Sequence, residues 1–242
     1  MPTLSRRQLL ASTAVAFLIL PHSAWASIIR GGLPWAPDAA DPPKRVMPGP
    51  WAFFSPAEGS AMEAIADRLI PPDAEIPGGK DIGCAIFIDR QLAGPYGRAA
   101  GLYRGTPFQP GLRQQGPQSA ATPAEQYRQG LAGLDRHCRQ AFGGTPFARL
   151  SPEQQDQVIA GLENGTVQLD GKSGSDFFDL ILKDTQQGFF ADPIYGGNKD
   201  MAAWKMIGFP GARYDYRDWI DRHNERYPHP PVGIGLHPDW AP

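Results

Sequence analysis

Ser55-Pro56-Ala57-Glu58, Thr122-Pro123-Ala124-Glu125 and Ser151-Pro152-Glu153-Gln154 are three versions of one local pattern. In each, a hydroxyl can accept an orphan backbone N–H of a starting helix, and proline stands where its missing N–H is no loss. An acid or amide three residues on can then reach back to the cap. The residues after each start keep a helical period: Met62, Ile65, Ala66 and Leu69, then Tyr127, Leu131, Leu134 and Cys138, then Val158, Ile159 and Leu162. Pro71-Pro72, Gly143-Gly144 and Asn164-Gly165 stop the three helices in turn.

Two further helices have weaker starts. Asp81 to Leu92 gathers Cys84, Ala85, Ile88 and Leu92 on one face at about 100° per residue. Ser175 to about Gln187 opens on a capping residue and carries Phe177, Phe178, Ile181 and Leu182. A short sixth helix is predicted from Asp200, as its cap, to Ile207, ended by Gly208-Phe209-Pro210-Gly211. No strand alternation is evident. The pattern predicts a mainly α fold, a small bundle of five or six helices with long Pro/Gly-rich loops and extended terminal arms.

The loops are where the 28 glycines and 26 prolines concentrate. Residues 94–121 form a connection far longer than the ~2–8 residues usual in bundles, and loops of that length are functional or disordered. The stretch Ser27 to Pro50 has the same character, and five prolines lie between His223 and Pro242. Trp35, Trp51, Tyr96, Tyr103, Phe108 and Trp240 punctuate these segments. Arms of this composition can lie across a partner and order on binding, or pack on their own bundle.

At the amino end, Ser5-Arg6-Arg7-Gln8-Leu9-Leu10 places paired arginines directly before an apolar run, and Ala24-Trp25-Ala26 is a small-x-small cleavage site. The segment resembles a bacterial twin-arginine export signal, a route that carries folded proteins; the plainer alternative is an ordinary secretory signal. A run of about 12 apolar or small residues is short of the ~20 that span hydrocarbon, so no membrane span is expected after cleavage. The expected organisation is a signal over 1–26, an arm over 27–52, a helical domain over 53–216 and a Pro-rich tail over 217–242. A net charge of −2, without a basic stripe, argues against a nucleic-acid partner.

Motifs that carry chemistry are missing from the chain. There is no Cys-x-x-Cys-His for covalent haem, no dinucleotide or phosphate-loop fingerprint, no Gly-x-Ser-x-Gly and no His-Glu-x-x-His. His223, His229 and His237 lie in the tail without helical i, i+4 spacing. His137 adjoins Cys138, but neighbours on a helix point about 100° apart, so the pair is not a thiol–imidazole couple. We expect no catalytic, cofactor or metal site in this chain. Cys84 and Cys138 both fall on apolar faces; an even count in an exported chain favours a disulfide between them over two buried thiols, worth about 4 kcal/mol in the chain-entropy model.

The densest run of unusual residues is Gly188-Phe189-Phe190-Ala191-Asp192-Pro193-Ile194-Tyr195-Gly196-Gly197-Asn198-Lys199-Asp200-Met201, continuing from Trp204 to Arg213. Its glycines allow tight turns and close backbone approach, and its aromatic residues are of the types enriched at interface cores. It reads either as a packed corner between helices or as a contact surface. Phe189, Phe190, Tyr195, Asn198, Trp204 and Arg213 are the candidate interface residues.

Residues 189–198 with Trp204-Lys205-Met206-Ile207-Gly208-Phe209-Pro210-Gly211-Ala212-Arg213 resemble the small subunit, "subunit 3" or gamma chain, of membrane-associated gluconate 2-dehydrogenase. The resemblance extends through Ala64-Ile65-Ala66-Asp67-Arg68-Leu69-Ile70-Pro71-Pro72, Phe87 to Tyr96 and Thr122 to Glu125, over about residues 53–216. It implies a non-catalytic subunit of a periplasm-facing complex. A large flavoprotein subunit would hold FAD and oxidise the sugar acid, and a multihaem cytochrome c subunit would pass electrons to quinone. The small subunit, through Arg6-Arg7 and the twin-arginine (Tat) translocase, would be the export escort of the flavoprotein. Related complexes oxidise gluconate, 2-ketogluconate, fructose or other sugars. Two other readings stay open: a stabiliser without an export role, and an independent periplasmic sugar-binding protein or enzyme with Asp192, Asn198, Asp200 and Arg213 around a pocket.

Overall fold

The computed structural model describes residues 46, 49–102, 104–105, 108, 112, 119–170, 172–213 and 216–234. The predicted signal with Arg6 and Arg7, most of the 27–52 arm, part of the 94–121 loop and residues 235–242 lie outside the described residues. Helices α1 (Pro56–Leu69), α2 (Cys84–Ala93), α3 (Pro123–Ala141), α4 (Pro152–Glu163), α5 (Ser175–Phe190) and α6 (Ala202–Ile207) make the body. The fold is mainly helical, as the sequence pattern predicts.

All three capping boxes form. The hydroxyls of Ser55, Thr122 and Ser151 accept the N–H groups of Glu58, Glu125 and Gln154 at 3.2–3.3 Å, and those three side chains accept the cap N–H groups in return at 2.7–3.0 Å. Each box satisfies two orphan donors, and losing such a cap costs about 1 kcal/mol.

Two starts differ from the sequence reading. α2 begins at Cys84 rather than Asp81, because Gly83 takes φ 91° and cannot belong to a right-handed helix. α6 begins at Ala202 rather than Asp200, because Asp200 and Met201 are themselves left-handed at φ 57° and 55°. A further element, an antiparallel hairpin of β1 (Gln168–Leu169) and β2 (Lys172–Ser173), was invisible in the sequence. Two-residue strands are too short to show alternation.

The predicted apolar faces converge. Met62 and Ile65 of α1, Ala85, Ile88 and Leu92 of α2, Tyr127, Leu131, Leu134 and Cys138 of α3, and Val158 and Leu162 of α4 meet Phe177, Phe178 and Ile181 of α5 in one core. Truncating any of the large ones to Ala would cost about 2–5 kcal/mol. The most extensive pairing is α2 on α5, with α1 against α2 and α4 against α5. A smaller cluster, Ala66, Ile82, Cys84, Phe189 and Ala203, fills the junction of α1, α2, α5 and α6. Cys84 and Cys138 therefore sit in different clusters, and both are free and buried. The predicted disulfide does not form: sharing an apolar character did not put the two thiols on facing sides of one helix pair.

Two buried acids, which the sequence did not single out, fasten loops to helices. Asp89 on α2 is fully buried and accepts the N–H groups of Ala52, Phe53 and Phe54 at 2.8–2.9 Å, with Arg90 paired to the same carboxylate. Three N–H donors and a guanidinium compensate its desolvation. Asp184 on α5 accepts the hydroxyls of Tyr127 on α3, at 3.0 Å, and Tyr96 in the 94–121 loop, at 2.9 and 3.1 Å.

Desolvation by burial raises the Asp184 pKa above the ordinary carboxylate value, against the opposing effect of the two tyrosine hydroxyls. A carboxyl that holds its proton more firmly folded than unfolded contributes stability at acid pH, which is lost as pH rises through its folded pKa. Asp184→Asn removes that titration. Its Tm relative to wild type is expected to climb between about pH 4 and pH 7, and a constant difference over that range would contradict the assignment. Burial also pushes the Cys84 thiol up to about 12 and the Cys138 thiol up to about 11. Native protein at about pH 8 should therefore react negligibly with a thiol reagent and show both thiols after denaturation; an oxidised pair in the denatured, unreduced chain would overturn this.

Candidate partner interface

The corner between α5 and α6 is built from backbone contact outward. α5 ends on Gly188-Phe189-Phe190, and a side chain at Gly197 would collide with the Gly188 carbonyl oxygen, so the chain returns directly across the helix terminus. The N–H of Lys199 donates to Ile82 O at 3.0 Å, tying the corner to the approach to α2.

Asp192 accepts the Ile194 N–H at 3.0 Å to start a tight turn over Pro193–Tyr195, and its other oxygen accepts the N–H of Ile234 at 2.6 Å. One carboxylate thus holds both the corner and the tail. Val46 in the amino-terminal arm donates its N–H to Ile194 O at 2.8 Å. On the carboxyl side, Ala212 donates to Val232 O at 2.7 Å and Val232 donates to Pro210 O at 3.2 Å. Both arms reach this corner.

Asn198 closes it. Fully buried at φ 46°, it donates from Nδ2 to Ala191 O at 2.9 Å and accepts the Ala203 N–H on Oδ1 at 3.0 Å. It thereby caps α6, the role the sequence reading gave to Asp200. Asparagine tolerates the left-handed region better than most residues, whereas Asp200 and Met201 hold positive φ only because the surroundings require it, at about 1–3 kcal/mol each. Trp204 lies under the short helix, 6% exposed, donating from its indole N–H to Phe190 O at 2.9 Å and meeting the Phe209 ring edge-on at 5.1 Å.

The candidate interface residues divide accordingly. Phe189, Asn198 and Trp204 are buried and work as scaffold rather than surface. Phe190 and Tyr195 are exposed. Arg213 is half-buried, donating to Pro230 O at 2.8 Å and lying over the Tyr227 ring at 5.7 Å. Met206, Ile207 and Phe209 are exposed and were not singled out from sequence. In a run so uniformly apolar, nothing local says which side chains turn inward.

Asp192, Asn198, Asp200 and Arg213 do not assemble into one pocket. Asp192 and Asn198 are engaged with backbone groups inside the corner, Asp200 points to solvent and Arg213 belongs to the tail contacts. Among the described residues no group of three His, Cys, Asp or Glu is placed to hold a metal ion, and no helix is long and apolar enough to cross a membrane.

The family model for gluconate 2-dehydrogenase subunit 3 matches residues 56–211, from the first residue of α1 to the glycine that bridges to Val232. The chain belongs to the gluconate 2-dehydrogenase subunit 3 family. The match spans all six helices and the whole corner, so the subunit 3 body and the structural body coincide. Membership makes the chain a subunit of a dehydrogenase complex. No curated protein and no solved structure matches the chain.

Asn198→Ala leaves the Ala191 carbonyl and the Ala203 N–H without their side-chain partners and puts alanine in a left-handed conformation. The unfolding free energy is expected to fall by about 2–4 kcal/mol in urea denaturation. Tyr195→Ala on the exposed rim should change it by less than about 0.5 kcal/mol; equal losses would show that the corner is not organised around Asn198.

Proposed function

We propose that this chain is the non-catalytic small (gamma) subunit of a periplasm-facing, FAD-dependent gluconate 2-dehydrogenase-type complex, and that it acts as export escort and stabiliser of the flavoprotein subunit. In this reading the flavoprotein oxidises D-gluconate at C2 to 2-dehydro-D-gluconate. The two electrons pass through its FAD to a multihaem cytochrome c subunit and on to quinone. FAD and haem c belong to the partner subunits, and this chain supplies no catalytic group.

The observation that carries the reading is the family match over the entire helical body. Two features support it. Ser5-Arg6-Arg7 ahead of the apolar run is the pattern of a signal that moves folded proteins through the Tat translocase. A flavoprotein that takes up FAD before export has to cross folded, so a partner that carries the signal needs a surface already formed in the cytoplasm. The corner offers such a surface: exposed apolar side chains stand on a backbone held by Asn198, Asp192 and Trp204, which lowers the ordering cost of association. In this reading the mature subunit lies in the periplasm, attached to the inner membrane through the complex.

The test is Arg6→Lys/Arg7→Lys in the native host, with the flavoprotein subunit assayed separately in cytoplasm and periplasm. The expected result is loss of most periplasmic flavoprotein and its retention inside. If the flavoprotein still reaches the periplasm while only this chain is held back, the escort role is wrong.

A further inference from the structure

We infer that Phe190, Met206, Ile207 and Phe209, gathered around Trp204, form the surface on which the flavin-carrying subunit docks, an inference that rests on the small-subunit reading above. These side chains are 43%, 44%, 57% and 44% exposed, while the indole between them is 6% exposed. Single exposed apolar residues are ordinary on protein surfaces. Four around one buried aromatic ring make a patch of the kind that marks an interaction site.

The patch is rigid. Trp204 holds Phe190 through its main-chain oxygen and Phe209 through ring contact. Gly208 closes α6 at φ 68°, with its N–H on Lys205 O, so Met206 and Ile207 stand on the last turn of a capped helix. The next residues, Pro210 to Ala212, are paired with Val232. A pre-organised set of aromatic and aliphatic side chains, backed by a buried tryptophan, has the composition of an interface core.

The course of the chain ends singles out the occupant. The arm reaches the corner at Val46 and Ile194, and the tail crosses it at Val232 and Ile234, with only residues 235–242 to follow. The four side chains remain exposed although both chain ends already arrive here. The rim carries Lys199 and Lys205 with Asp200, charges of both signs and all exposed. A mixed rim around an apolar centre fits a protein surface and gives no preference for a polyanion or an anionic lipid face. The partner feature it fits is an apolar groove on the flavoprotein that receives the end of α6, with carboxylates at the edge facing Lys199 and Lys205.

The experiment uses the full chain, affinity-tagged and expressed in its native host. Ile207 is replaced by p-benzoylphenylalanine for photo-crosslinking, and Met206→Ser/Ile207→Ser is purified in parallel. Expected are a light-dependent adduct with a flavin-bearing polypeptide identified by mass spectrometry, and at least a tenfold loss of that polypeptide from the Ser variant at unchanged Tm. Adducts confined to residues 235–242, to a second copy of this chain or to the cytochrome subunit would overturn the docking surface, as would undiminished recovery in the Ser variant. A flavoprotein that co-purifies normally but never crosslinks from Ile207 overturns the surface and leaves the small-subunit reading standing. Wild-type chain that retains no flavoprotein overturns both.

Discussion

The backbone of residues 196–198 lies directly on the end of α5 and against the approach to α2, and the corner exists only because that approach is possible. A glycine at 197 is required for the chain to pass the Gly188 carbonyl, and a left-handed glycine at 83 lets the α2 start face the Gly196 carbonyl. With the backbones this close, Asn198 can bond across to both Ala191 and Ala203, which sets where α6 begins. The position of α6 then determines that Trp204 points down and Met206 and Ile207 point out. A side chain at the tight glycine would propagate through the entire series.

The long connections of this fold have few ladder hydrogen bonds of their own, and acidic side chains on the helical framework replace them. Asp89 binds three consecutive N–H groups of residues 52–54, Asp184 gathers two tyrosine hydroxyls, and Asp192 joins the corner to the tail. A carboxylate offers several acceptor sites in one place, so one residue can satisfy donors from a segment that forms neither helix nor sheet. The desolvation cost differs with the donors. Asp89 has three main-chain donors and a guanidinium, whereas Asp184 has two hydroxyls and a pKa displaced upward by its burial.

A subunit that has to meet its partner as a finished surface gains from this design. The exposed apolar groups of the corner are carried by buried ones: Phe190 beside Phe189, and Phe209 on Trp204. Scaffold and surface are therefore different residues drawn from one sequence run, and family membership extends over both.

Much of the helical framework was legible in the sequence because its signals are local. A capping box, a proline at the first helical position and a terminating glycine act within one turn, and α1, α3 and α4 begin where those residues stand. The inward faces of the same helices followed from periodicity, down to Cys138 buried and its neighbour His137 turned aside. The start of α2 was displaced because Gly83 adopts a left-handed conformation that only its contact with the corner explains, and the cap of α6 was assigned to Asp200 when a buried asparagine two residues earlier performs it.

By itself, then, the sequence determined the helices, their faces and the presence of an aromatic, glycine-rich corner, since propensity, capping and period depend on near neighbours. Only the tertiary structure decided which aromatic residues of that corner are core and which are surface, that the two cysteines occupy separate clusters, and which buried acids hold the arms. Burial and pairing depend on what another part of the chain places opposite a residue, and no local pattern contains that information.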